Sequence, residues 1–169
     1  GEVLGCLEAL RRGLESLGRE VAVLCGQPVS EALAALLPGI VGRGSEPPSG
    51  RYSACLCLGE ACAEACAGIS SADLEGTVHV ELTGNPRIST LAEGTLELLD
   101  GLGVTLDRDM AVALYVAVTW ATDSFQNSRV TPSVHACAAR LVELGVPTDL
   151  VGRRLFREDS VEFLQTLGR

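Results

Sequence analysis

Four of the chain's seven cysteines, Cys55, Cys57, Cys62 and Cys66, fall within "YSACLCLGEACAEACAGI". Thiolates at that density raise the chemistry of a zinc or redox centre. The spacing C-x-C-x4-C-x3-C, however, lacks the short knuckles of zinc ribbons, and cysteines flanked by Ala and Leu behave as small buried hydrophobes. Core filling is the reading the spacing favours. The other chemistry-bearing groups are acids close to apolar segments, Glu2, Glu60, Glu81 and Asp123, and two isolated histidines, His79 and His135. Carboxylates converging on divalent cations are the equipment of metal-assisted hydrolysis. "GEVLGC" at the start offers two glycines ahead of a helix, but without Lys-Thr or Lys-Ser it is a weak phosphate loop.

The elements that must position these groups follow from periodicity. Val3 to Leu17 repeats apolar residues at helical spacing and Gly18 supplies the stop. Ser30 caps a short helix ending at Pro38 and Gly39. Glu20–Cys25, Tyr52–Leu58 and Thr77–Leu82 are short apolar runs of strand length, with a helix over Glu60 to Cys66. Strands alternating with helices predict a mostly parallel sheet covered on both faces, an α/β fold. From Ile88 on the pattern is helical: Thr90–Leu102, Asp107–Ala121, Pro132–Leu144, Thr148–Phe156, and a last helix from about Asp159. One domain over residues 1–169 is expected, with a sheet-forming half to residue 85 and a mainly helical half from 86.

Composition narrows the partners. The 169 residues are 47% hydrophobic, enough for a sizeable core, and carry a net charge of −9, which repels a phosphate backbone. Nucleic acid is therefore a poor partner. No apolar run reaches the roughly 18 residues a membrane span requires. All 13 cations are arginine. An odd number of cysteines in a chain of this size fits a reducing intracellular compartment, cytoplasm or organelle. The sequence opens on Gly1 and reads as a piece of a longer protein.

The stretch "DMAVALYVAVTWATDSFQNSRVTPSVHACAARLVELGV", Asp109 to Val146, resembles the DHH, or RecJ-like, phosphoesterase family. That family carries a Leu-Tyr-x-Gly segment, a Thr-Asp-Thr-Gly-x-Phe motif, a Ser-Asn-Thr-Thr-like loop and a helix ending Leu-x-x-x-Gly. "GEVLGCLEALRRGLESLG" looks like the family's first motif and its following helix. The resemblance implies an α/β phosphoesterase-like fold and two Mn or Mg ions. It also implies ligand positions, and most are degenerate here. Glu2 falls on the second aspartate of the first motif. Gly59, beside Glu60, and Ala121 stand where metal-binding aspartates are expected, and the segment around Glu81 holds no tandem histidines. Asp123 is two places late, and on a helix end that offset turns a side chain by about 200°.

The expectation is a phosphoesterase-like domain without catalytic residues and without a cofactor, a pseudoenzyme working as a structural or protein-interaction subunit, as a homo- or hetero-oligomer. The smaller substrate-binding domain of the family is absent from the sequence. A remodelled site built from Glu2, Glu60, Glu81 and Asp123, hydrolysing short oligonucleotides or nucleotide phosphates with Mn or Mg, is the enzymatic alternative. A nucleotide-binding sensor without catalysis is the third.

Overall fold

The computed structural model describes residues 1–23, 29–40, 55–58, 79–81 and 89–156. Six helices make up most of them: α1 (Glu2–Ser16), α2 (Glu31–Leu36), α3 (Leu91–Gly101), α4 (Arg108–Ala121), α5 (Pro132–Glu143) and α6 (Thr148–Phe156). Two strands, β1 (Cys55–Cys57) and β2 (His79–Glu81), pair in parallel with Cys55 opposite His79 and Cys57 opposite Glu81.

This corrects the expected fold class. The described protein is mostly helical, not an α/β fold on a parallel sheet, and the α/β phosphoesterase-like description falls with it. Of the run Glu20–Cys25, the described residues 20–23 form no strand. A short apolar run has no periodicity to separate a strand from any other buried segment. What covers apolar surface here is helix against helix. The helix predicted over Glu60–Cys66, the cysteines Cys25, Cys62 and Cys66, and the last helix from Asp159 lie outside the described residues.

The core is organised around α4, whose sequence RDMAVALYVAVTWA is apolar on nearly every side, so that Met110, Leu114, Val116 and Val118 are all buried. A helix apolar all round has to sit in the middle of other elements. α1 lies against it antiparallel. Gly5 meets the Ala113 carbonyl and Ala117 so closely that a methyl group would collide with both. Arg12, one helix end away, reaches Asp109 at the start of α4, at 2.9 Å. The second glycine of "GEVLGC" is thus explained by helix–helix approach and not by a phosphate.

α3 runs parallel to α1. Their first turns are joined by the Leu91 N–H donating to Glu2 Oε1 at 2.7 Å, and near their ends Gly13 abuts Leu99. α5 has the same direction as α3, since Arg140 pairs with Asp100 near both C-termini and Arg108 Nε donates to the Gly145 carbonyl at 2.9 Å. The bundle is therefore three helices one way and α4 the other.

Local chemistry fixes the helix ends. Thr90 and Glu93 form a reciprocal capping box on α3, Asp107 caps α4 and Thr131 caps α5 ahead of Pro132. α1 and α3 close in Schellman motifs, with Gly18 at φ 74° and Gly103 at φ 73°. Gly18 N–H donates to the Glu15 carbonyl and Arg19 N–H to Leu14; Gly103 donates to Asp100 and Val104 to Leu99. Below this surface Glu8 is almost fully buried, held by Arg11 at 2.7 Å and Arg12 at 2.8 Å. Burial pushes the Glu8 carboxyl up, but hydrogen bonds from the two guanidiniums outweigh it and leave the pKa below its usual value.

Candidate functional site

The acids singled out in the sequence do not converge. Glu60 and the position of Gly59 lie outside the described residues. Glu81 is the last residue of β2, opposite Cys57. Glu2 stands in the first turn of α1 and Asp123 just past the end of α4. Asp123 lines a shallow cleft of about 550 Å³ with Ser124, Asp149, Arg153 and Phe156, and Glu2 is not part of that lining.

Glu2 is fully engaged. Arg129 grips its carboxylate with both terminal nitrogens, Nη1 to Oε2 and Nη2 to Oε1, each at 2.9 Å. Oε1 also accepts from the Leu91 N–H at 2.7 Å, at the positive end of the α3 dipole. The same guanidinium reaches the Ser89 carbonyl through Nε at 2.9 Å and the Ala121 carbonyl through Nη1 at 3.4 Å. Asn127 Nδ2 adds a second donor to the Ala121 carbonyl at 3.0 Å. Glu2 and position 121, which the resemblance places at one metal centre, are thus joined by an arginine of the chain itself.

That geometry decides whether Mn or Mg fits. Ala121 is buried and offers a methyl group where a carboxylate would be needed. Both oxygens of Glu2 are already spent on a guanidinium, and a second cation there would be repelled by the first. Among the described residues no three His, Cys, Asp or Glu side chains gather as a metal site. The described residues do not fit the ions.

Arg129 is the residue of this candidate site that the sequence did not single out. It lies in the polar stretch "QNSRV", and its partner Glu2 is 127 positions away, so no local spacing connects them.

The turn carrying Asp123 is strained. Asp123, Ser124 and Phe125 have φ of 49°, 58° and 63°, three successive left-handed residues without a glycine. Each such residue costs roughly 1–2 kcal/mol. The first of them closes α4 as Gly18 and Gly103 close their helices: Asp123 N–H donates to Trp120 and Ser124 N–H to Thr119. The turn continues because Thr122 Oγ1 accepts the Phe125 N–H at 3.1 Å and donates to Val118 at 2.7 Å. Phe125 is thereby laid on His135, with centroids 5.6 Å apart and planes 13° from parallel, and tilted against Tyr115 at 6.3 Å. The aromatic contacts offset part of the strain.

Cys6 and Cys137 are buried, unpaired thiols. Burial raises their pKa values to about 12 and about 11, so neither is a thiolate at neutral pH. The described residues of β1 include Cys55 and Cys57 at alternate positions of the strand. No helix among the described residues is long and apolar enough to cross a membrane.

No protein-family model matches the chain, and no curated protein matches it.

Proposed function

We propose that this chain is a non-catalytic subunit whose work is to bind another protein. The observation that carries the reading is Arg129. A cation supplied by the chain bridges Glu2 and the end of α4, and converts a carboxylate that could have served a metal into a tie between helices. The thiols of Cys6 and Cys137 are buried and protonated, which suits neither as a nucleophile, and they support a reducing compartment. Large apolar side chains left in solvent at several helix ends, Leu17, Leu102, Trp120 and Leu144 among them, support contact with a partner.

The test is to purify the full-length chain from its own cells, measure the mass of the assembly and incubate it with a dinucleotide and Mn²⁺. A stoichiometric complex without turnover above a Glu2→Gln control is the expected result. Turnover that Glu2→Gln abolishes overturns the reading.

A further inference from the structure

Three helices of this bundle stop on the same dipeptide. α1, α3 and α5 end at Leu17-Gly18, Leu102-Gly103 and Leu144-Gly145, and each glycine has a positive φ. The capping bonds are all made by backbone groups, so the caps require the glycines and not the leucines. Because the three helices are parallel, the three leucines emerge at one end of the bundle. They are 43%, 43% and 36% exposed. Beside Leu144 a groove of about 320 Å³ is floored by Val104 and Leu106 and edged by Arg140 and Glu143.

The charge at this end is negative. Three helix C-termini point their partial negative charges here, against the positive N-termini of α4 and α6, and neither α1 nor α3 has a basic residue in its last turn. Glu8, Glu15, Asp107 and Asp109 outnumber Arg11 and Arg12, the guanidiniums they surround. Asp100 balances Arg140, and Glu20 and Glu143 offset Arg19 and Arg108.

We propose that the Leu-Gly end of the bundle is the docking face for a partner presenting a cationic amphipathic helix, an apolar stripe flanked by Lys or Arg. The proposal rests on the protein-binding reading above and names the surface and the partner's chemistry. Leucines inside an acidic rim match such a helix in both shape and sign. A second copy of the chain matches poorly, since its own end would bring like charge to like, at −9 per chain.

The test uses a synthetic amphipathic Leu/Lys peptide titrated into the chain by fluorescence anisotropy. Binding is expected, weakening as salt is raised, and falling by about tenfold or more in L17E/L102E/L144E. That variant should keep its far-UV circular dichroism and Tm, because the three side chains are exposed, and Leu150→Gln on α6 should leave binding unchanged. Absence of binding, or binding indifferent to the triple substitution, overturns the proposal. So does self-association that the triple substitution abolishes, which would give the face to a second copy. If the triple variant still purifies with the native chain's partner, the face is wrong while the protein-binding reading stands.

Discussion

Arg129 and Glu2 face each other through two hydrogen bonds of 2.9 Å, across 127 residues of sequence. The pair joins the start of α1 to the loop after α4, and its side contacts reach Ser89 and Ala121. Replacing Arg129 by Ala leaves Glu2, largely shielded from solvent, without its counter-charge, and frees the Ala121 and Ser89 carbonyls. The expected loss is about 1–2 kcal/mol of unfolding free energy. Lysine should not restore it, because a point charge cannot reproduce the fork. Urea unfolding at neutral pH checks both: a lower midpoint with an unchanged slope for Arg129→Ala, and no recovery for Arg129→Lys.

Glycine at position 123 or 124 should stabilise the protein. Both residues are held at positive φ, 49° and 58°, where a Cβ is a burden. Relief of about 1 kcal/mol per position is partly offset by the greater chain entropy of glycine when unfolded. The net gain expected is about 0.5 kcal/mol for Asp123→Gly and for Ser124→Gly. Asp123→Val should cost stability, since a β-branched residue tolerates this region least. A rise in Tm for the glycines and a fall for valine are the measurements.

Gly5→Val should be among the most damaging single changes in α1. The added side chain has to enter the space held by the Ala113 carbonyl and Ala117, and backbone does not yield as a flexible side chain does. A cost of about 1–3 kcal/mol is expected from overpacking, visible in thermal unfolding. By contrast Gly101, whose Cβ would meet nothing, should accept Ala with no loss.

Acid should destabilise the protein through Glu8 and Asp100. Both carboxyls have folded pKa values lowered from 4.5 and 3.8 respectively; burial opposes the shift at Glu8, and at Asp100 the hydrogen bond from Arg140 leads it. A depressed folded pKa gives stability that is fully present above the unfolded value and is lost as pH falls through the folded one. Stability should be flat from pH 7 to about 5.5 and decline below about 4.5. Glu8→Gln should flatten that decline at the expense of stability at pH 7, and equilibrium unfolding at a series of pH values reads both effects.

Native Cys6 and Cys137 should not react with an aromatic disulfide reagent at pH 8, where thiols with pKa values of about 12 and about 11 are protonated as well as buried. Mass spectrometry of labelled peptides should find both only after denaturant is added. Labelling of Cys6 in the native protein would contradict its burial beside Thr95 of α3.

The helical half was legible because its signals are local. Pro132 after Thr131, Thr90 three residues ahead of Glu93, and Asp107 before an apolar run each mark a helix start by a bond that spans a few residues. The glycine stops at 18, 103 and 145 are local in the same sense. The fold class was not legible, because "EVAVLC" and "ACLCL" have the length and composition of strands and no period that says what will cover them. Nor did spacing reveal that α1 packs on α4 through Gly5 and Ala117. At the candidate site nothing in the sequence pointed to Arg129 as the partner of Glu2, since a long-range pair leaves no periodicity behind.

The packing of α1 has a consequence for the order of assembly. Besides Gly39, which abuts Glu8 and Arg11, its partners are Leu91 on α3, Ala113 and Ala117 on α4, and Arg129 in the loop beyond, contributed by the second half of the sequence. Helices α3 to α5 meet one another across short connections and lose little entropy on closure, whereas α1 has to close a loop of close to a hundred residues before its contacts with them form. Translated before α3 to α5, α1 docks on them last. Until α4 has been synthesised, much of the apolar face of α1 stays uncovered.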